Sequence, residues 1–242
     1  MLVEVINLGK KYEKKTDFTI RNINLKGDAG EIVGILGHNG AGKSTTIKSI
    51  TGMHPYNEGK IKICGFDLKL QPMDAKINFG YVSDDFNLFE KMTGYEYVNF
   101  LADIYHISKE DRKTRIDTFQ TMFALGEAIY RPISSYSHGM KQKISFMGAL
   151  IHYPKVVILD EPFIGLDPFT MMQVKEFFKK YSEQGNLILF SSHDLHTVKN
   201  FCNRAYIIDQ GKMLKEINFE EFNKKNLDFE KYFLSITKRV SK

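Results

Sequence analysis

One stretch of eight residues, Gly37-His38-Asn39-Gly40-Ala41-Gly42-Lys43-Ser44, constrains this chain more than any other feature. It fits the pattern G-x-x-x-x-G-K-[ST] throughout and lies between the apolar run Ile32 to Leu36 and the helix-compatible run Lys43 to Ile50. A phosphate group is approached closely by consecutive backbone N–H groups, and glycine allows that approach without a side-chain clash. Lys43 supplies a point charge for β- and γ-phosphates, and the Ser44 hydroxyl can ligate Mg²⁺. The chain is therefore read as a phosphate binder built on a strand, a glycine-rich loop and a helix.

The remaining periodicity fits that reading. Leu2 to Leu8 alternates as a half-buried strand, and Phe18 to Leu25 reads as a second. Gly59 to Cys64, Phe79 to Val82, Val156 to Leu159, Leu187 to Ser191 and Tyr206 to Asp209 read as further strands. Between residues 84 and 151 the pattern turns helical. Tyr97, Val98, Leu101, Ile104 and Tyr105 form one stripe, Ile116, Phe119, Met122 and Phe123 a second, and Met140, Ile144, Met147 and Ile151 a third. Asp167-Pro168 is an N-cap followed by proline at the first helical position, which starts a helix there. Alternating strands and helices predict an α/β fold with a largely parallel sheet covered on both faces.

Val156-Val-Ile-Leu-Asp160-Glu161-Pro162 places two carboxylates at the end of an apolar strand, beside the phosphate loop. Asp160 would hold Mg²⁺ through water, and Glu161 could accept a proton from an attacking water. Such a pair is common by chance, and the phosphate loop upstream is what gives it weight.

With these residues in place the chain resembles the ATP-binding cassette (ABC) ATPases over essentially its whole length. The resemblance rests on Gly37 to Thr45, Ser137-His-Gly-Met-Lys-Gln142, Leu159-Asp-Glu-Pro162, Gly165-Leu-Asp167 and Ser192-His193-Asp194, in that order. It implies a P-loop NTPase (RecA-like) core with an N-terminal antiparallel β subdomain, together residues 1–83 and 152–242. Residues 84–151 would then be a helical subdomain within a single ABC unit, 1–242. By similarity the phosphate loop from Gly37 to Thr45 binds ATP, and Tyr12 stacks on adenine. Ser137 and Gly139, in the signature segment, bind the γ-phosphate held by the opposite subunit, while Asp167 belongs to the loop that crosses between the two sites. His193 contacts the γ-phosphate.

Two departures stand out. The signature reads Ser-His-Gly-Met, with His138 in place of a glycine and Met140 in place of a glutamine, as in a subset of bacterial exporters and immunity pumps. After Phe79 to Val82 the family expects a glutamine, where this chain has Ser83-Asp84-Asp85. Asp84 aligns best and either ligates Mg²⁺ as a hard oxygen donor or caps the first helix of the insertion.

Composition bounds the rest. The chain has 242 residues, 43% apolar and 26% charged, enough for one large domain and unlike a disordered or disulfide-stapled chain. No apolar run approaches the roughly 20 residues that cross a bilayer, and no secretion signal opens the chain. Cys64 and Cys202 lie far apart and read as thiols of a reducing compartment. A net charge of +5 with both signs dispersed gives no expectation of nucleic acid.

The expected function is an ATP-binding and ATP-hydrolysing subunit that powers a separate transmembrane permease, on the cytoplasmic face of the membrane. It would work as a homodimer or with a paralogous subunit, exporting peptide, lipid or drug. Phe86, Leu88, Phe89, Tyr95 and Tyr97 follow the altered glutamine position, where the family docks its membrane subunit, and could equally be core. A soluble ABC ATPase acting on ribosome or DNA is the alternative. A small-molecule kinase or GTPase explains Lys43 and Asp160 but leaves Ser137 to Gln142 and His193 unexplained.

Overall fold

Short apolar runs that alternate with loops and helices become the strands of a central sheet. The computed structural model describes residues 1–13, 16–86, 88–225 and 227–237. In chain order the elements are β1 (Val3–Lys10), β2 (Ile20–Gly27), β3 (Ile32–Leu36), α1 (Lys43–Ile50), β4 (Glu58–Ile63), β5 (Phe66–Asp67), α2 (Pro72–Lys76) and β6 (Phe79–Val82). Three helices follow, α3 (Gly94–Ile104), α4 (Lys109–Phe123) and α5 (His138–Leu150), with two short 3-10 turns between the last two. The chain then runs through β7 (Val156–Asp160), α6 (Pro168–Glu183), β8 (Leu187–Ser192), α7 (Leu195–Phe201), β9 (Arg204–Asp209), β10 (Lys212–Asn218), α8 (Phe219–Lys224) and α9 (Phe229–Thr237).

The large sheet has the order β10-β9-β3-β8-β7-β6, and every neighbouring pair is parallel except β10 with β9. That exception is a hairpin turned by Gln210 and Gly211, both at positive φ, as a tight two-residue connection requires. A second, antiparallel sheet has the order β2-β1-β4-β5.

Strand β3 shows how both faces are covered. Ile32 and Leu36 point into a cluster with Phe146, Val174, Phe178 and Phe190 beneath the helices. Val33 and Ile35 point the other way, into a cluster that joins Ile47 and Ile50 of α1 to Val3, Val5 and Ile61 of the small sheet. The period of two is thus satisfied on both sides, which is why the strand reads as an unbroken apolar run.

The sequence places β3, α1 and β6 at their observed bounds. Three expectations need correction. Phe18 lies outside β2, where the Arg21 guanidinium covers its ring at 4.7 Å. Ile104 is 53% exposed: α3 buries Gly94, Val98 and Ala102, and six residues past Val98 the helix has turned away from that face. Asp84 does not cap the first helix of the insertion. Thr93 does, in a reciprocal capping box with Glu96.

Candidate nucleotide site

The parallel register gathers the expected site residues along one sheet edge. Leu36, which precedes the glycine loop, pairs with Ser192; Ser191 pairs with Asp160; and Leu159 pairs with Val82. The carboxyl ends of β3, β8, β7 and β6 therefore deliver Gly37, His193, Asp160 with Glu161, and Asp84 to the same rim. Open α/β sheets place their ligands at such a rim.

The loop between β3 and α1 depends on glycine at two points. A Cβ on Gly37 would lie 2.3 Å from the Ile208 carbonyl oxygen of β9. Gly42 has φ +108 and packs where a Cβ would meet Ile20 at 2.6 Å. Gly42 is also the N-cap of α1, with no side chain capping the helix, so the first N–H groups of α1 face the loop without a side-chain acceptor. His38, Asn39 and Gly40 are exposed, and Ala41 and Lys43 are buried. Thr45 follows Ser44 in the first turn of α1, and its carbonyl accepts from Ser49. The Lys43 ammonium is 6% exposed and donates to the carbonyls of Gly37 (2.9 Å) and His38 (3.2 Å).

Four side chains converge on the acidic pair. Asp160 is 0% exposed, and its Oδ1 accepts from Ser44 (3.1 Å) and Ser191 (2.5 Å). Its Oδ2 is buried with no hydrogen-bond partner. Burial pushes the Asp160 carboxyl up, the Ser191 hydroxyl pulls it back down, and the nearby Asp84 carboxylate pushes it up again. Glu161 adopts φ +48, which swings its carboxylate to 3.3 Å from the Lys43 Nζ and 3.1 Å from the His193 Nδ1. A carboxylate only accepts, so His193 Nδ1 carries the proton in this contact.

An orphaned buried carboxylate oxygen beside a serine hydroxyl is a fit for a divalent cation. Among the described residues no group of three or more His, Cys, Asp or Glu could hold a metal by itself. Phosphate oxygens and water would complete the shell, as suits Mg²⁺. Asp84 lies 3.5 Å from the Lys48 Nζ of α1, and its carboxylate also accepts from the Asp85 N–H at 3.0 Å.

Other expected residues lie apart from this rim. The Tyr12 hydroxyl shares a 2.8 Å hydrogen bond with His54 Nδ1, beside the turn after α1, with Lys10 Nζ 4.8 Å from its ring centroid. Burial, and then the Lys48 and Lys10 charges, lower the His54 pKa. Ser137 caps α5, its hydroxyl accepting from the Met140 N–H at 3.3 Å. Neither Ser137 nor Gly139 has a hydrogen bond to residues 37–45 among the described residues. Asp167 caps α6, and its bonds from the Thr170 side chain and N–H hold its carboxyl low.

The family model described as ABC transporter matches residues 20–164, more than half of the chain. The linearmycin resistance ATP-binding protein LnrL of Bacillus subtilis is 34% identical over 213 residues, covering 88% of this chain and 68% of that protein. The bacitracin transport ATP-binding protein BcrA of Bacillus licheniformis is 31% identical, covering 97% of this chain and 75% of its own length. This chain belongs to the ATP-binding cassette family.

Solved structures agree with the cassette fold. An ATP-binding subunit of an ABC transporter superposes with a TM-score of 0.91 at 29% identity, covering 98% of this chain and all of that one. A dimeric cassette in a post-hydrolysis state bound to ADP and Pi superposes at 0.82 with 26% identity, covering 90% of this chain and 99% of the other. The chain is thus a P-loop NTPase of the α/β class, an ATP-binding subunit of the ABC transporter type and an ATP hydrolase.

Sequence reasoning passed over two residues of the cassette site. Ser191 donates to Asp160 and accepts from the Glu161 N–H at 3.0 Å, so one hydroxyl orients both carboxylates. Its signal was present: a polar residue closing an apolar strand two positions before His193. Lys48, one helical turn beyond Ser44, carries no such mark. Its pairing with Asp84 exists through the packing of α1 on the central sheet at β7 and β8, which brings it to the segment that leaves β6.

Proposed function

We propose that two cassettes, either two copies of this chain or one copy with a paralogue, clamp two ATP molecules head to tail and drive a membrane permease that exports a peptide, lipid or drug. The observation that carries the catalytic part is the position of the Glu161 carboxylate between Lys43 and His193.

Lys43 is drawn from the loop carbonyls to the β- and γ-phosphates of ATP, and this frees Glu161 from its ion pair. Glu161 then accepts a proton from the attacking water, with the His193 Nδ1–H fixing its orientation. The residues from Gly37 to Thr45 cradle the triphosphate with backbone N–H groups. Ser44 and Asp160, with Asp84, would hold Mg²⁺, which would supply charge neutralisation for the triphosphate. Tyr12 offers its ring to the adenine. Ser137, Gly139 and the start of α5 take the γ-phosphate bound by the opposite subunit, while Asp167 lines the crossing between the sites. Among the described residues no hydrogen bond joins Ser137 to Lys43 within one chain, which is consistent with this sharing.

The relatives' names support export: one is a resistance protein and the other a bacitracin transport protein. They do not favour the ribosome- or DNA-directed alternative. No helix among the described residues is long and apolar enough to cross a membrane. In this reading the permease is a separate chain, and this subunit sits on its cytoplasmic face. Phe89, Tyr95 and Phe100 are exposed around the start of α3 and offer an apolar seat for it.

Glu161→Gln is expected to lower turnover by roughly 10² to 10⁴, the usual worth of a general base, while retaining ATP and trapping a dimer on a sizing column. Near-normal hydrolysis by this variant excludes Glu161 as the base. Co-purification with a polytopic membrane protein, rather than with ribosomes or DNA, tests the transport reading.

A further inference from the structure

The histidine that replaces a signature glycine occupies a junction of three segments. His138 is the first residue of α5, directly after the Ser137 cap. Its ring packs edge-on against Phe86, in the segment after β6, with centroids 4.8 Å apart. Its Nε2 lies 3.3 Å from the carbonyl oxygen of Ile164, in the loop that runs from Glu161 to Asp167. A carbonyl only accepts, so Nε2–H is the donor.

The seat for this ring is shaped by a second residue. Gly165 adopts φ +77, and a Cβ there would lie 2.2 Å from His138 Cδ2. No side chain at residue 165 is compatible with the ring where it stands. His138 and Gly165 therefore form a matched pair.

We propose that His138 is a positioning residue that couples the two nucleotide sites of the dimer. The inference rests on the head-to-tail reading above. In that arrangement Ser137 and Gly139 serve the nucleotide of the opposite subunit, whereas Glu161 serves the chain's own. A displacement of the signature turn at one site is carried through the His138 ring and the Ile164 carbonyl to the loop that begins at the general base of the other. Phe86 attaches the segment that leads to the proposed permease seat to the same ring. Gln142 supports the link from the next turn of α5, donating to the Pro162 carbonyl at 3.2 Å.

The test compares ATP dependence of hydrolysis, nucleotide affinity and hydrogen exchange of the amides of residues 162–167 in four proteins: wild type, His138→Ala, His138→Gln and Gly165→Ala. Wild type is expected to hydrolyse ATP sigmoidally. His138→Ala is expected to become hyperbolic and to lose about five- to tenfold in kcat, the factor one lost hydrogen bond of ordinary strength gives. Its loop should exchange faster, while nucleotide affinity stays within about twofold because His138 touches no residue of the phosphate loop. His138→Gln, which keeps an N–H donor, should recover sigmoidal behaviour. Gly165→Ala should reproduce His138→Ala, and the double variant should be no worse than either single one. A His138→Ala protein as sigmoidal as wild type overturns the proposal, as does one that loses affinity in proportion to kcat. If wild type is hyperbolic with a rate per chain independent of protein concentration, the two-chain reading fails, and with it the coupling. Faster loop exchange in His138→Ala would then show that the contact between ring and loop is real.

Discussion

Ser191 is the residue whose removal tests the geometry of the acidic pair most directly. Its hydroxyl donates to Asp160 Oδ1 at 2.5 Å and accepts from the Glu161 N–H at 3.0 Å, beneath a carboxylate that is 0% exposed. Ser191→Ala removes one bond to a charged group, worth about 1.5 to 3 kcal/mol, and leaves the partly buried Glu161 N–H without this partner. The combined loss is expected to be about 3 kcal/mol, or about 6 to 12 °C in Tm for a domain of this size. The loss should depend on pH. Burial raises the folded-state pKa of Asp160 above its ordinary 3.8, so the folded chain binds the proton more tightly than the unfolded one. This carboxyl therefore favours folding at low pH, and its contribution falls as pH rises from about 3.8 through the folded value. Ser191 lowers that folded value, and losing it extends the fall to higher pH. A pH series of urea unfolding curves for both proteins should show the deficit growing as pH rises from about 3.8. A deficit under about 1 kcal/mol, or one that shrinks with rising pH, would refute the assignment of Ser191 as the support of a buried charge.

Asp84→Gln is expected to flatten the Mg²⁺ dependence of ATP binding. Two unit charges about 4 Å apart interact by roughly 4 kcal/mol at an effective dielectric of 20, so an acidic residue near the triphosphate is tolerated best with metal between them. Superimposable Mg²⁺ titrations would place Asp84 outside the metal shell, leaving its pairing with Lys48 as its role. His152 stacks on Tyr105 with centroids 3.7 Å apart, and burial lowers its pKa to about 4. Stability held by the neutral ring should be complete above about pH 6.5 and fall by about 3 kcal/mol as pH drops towards 4. His152→Phe, which keeps the stack, should lose that part of the acid sensitivity in a pH series of unfolding curves.

The legible part of the protein was the part written in short stretches of chain. The phosphate loop, β3, α1 and β6 could be bounded from sequence because each depends on local rules: glycine at a close backbone approach, an unbroken apolar run buried on both faces, a helix that follows at once. The elements after β9 are less legible in the sequence. Strand β10 is a polar strand at the edge of the sheet, and α8 and α9 bury Phe219, Phe222 and Phe229, which pack on one another, and Phe233, whose ring meets His38. Asn218 as N-cap, with Glu220 and Glu221 in the first turn, was a usable signal for α8.

Within the site, the sequence by itself determined which chemistry is present. It supplied a lysine and a serine on a glycine loop, two carboxylates at a strand end and a histidine beyond the next strand. The tertiary structure alone decided who touches whom. Ser191 meets Asp160 because β7 and β8 run parallel in that register, and Glu161 reaches Lys43 and His193 because its backbone takes a left-handed turn as it leaves β7. Asp84 faces Lys48, Tyr12 faces His54, and His138 rests on Gly165. A strand or loop pattern repeats over a few residues and is visible in one dimension. A contact between residues tens of positions apart depends on strand register, helix packing and backbone handedness together, and these are settled when the layers close on their shared core.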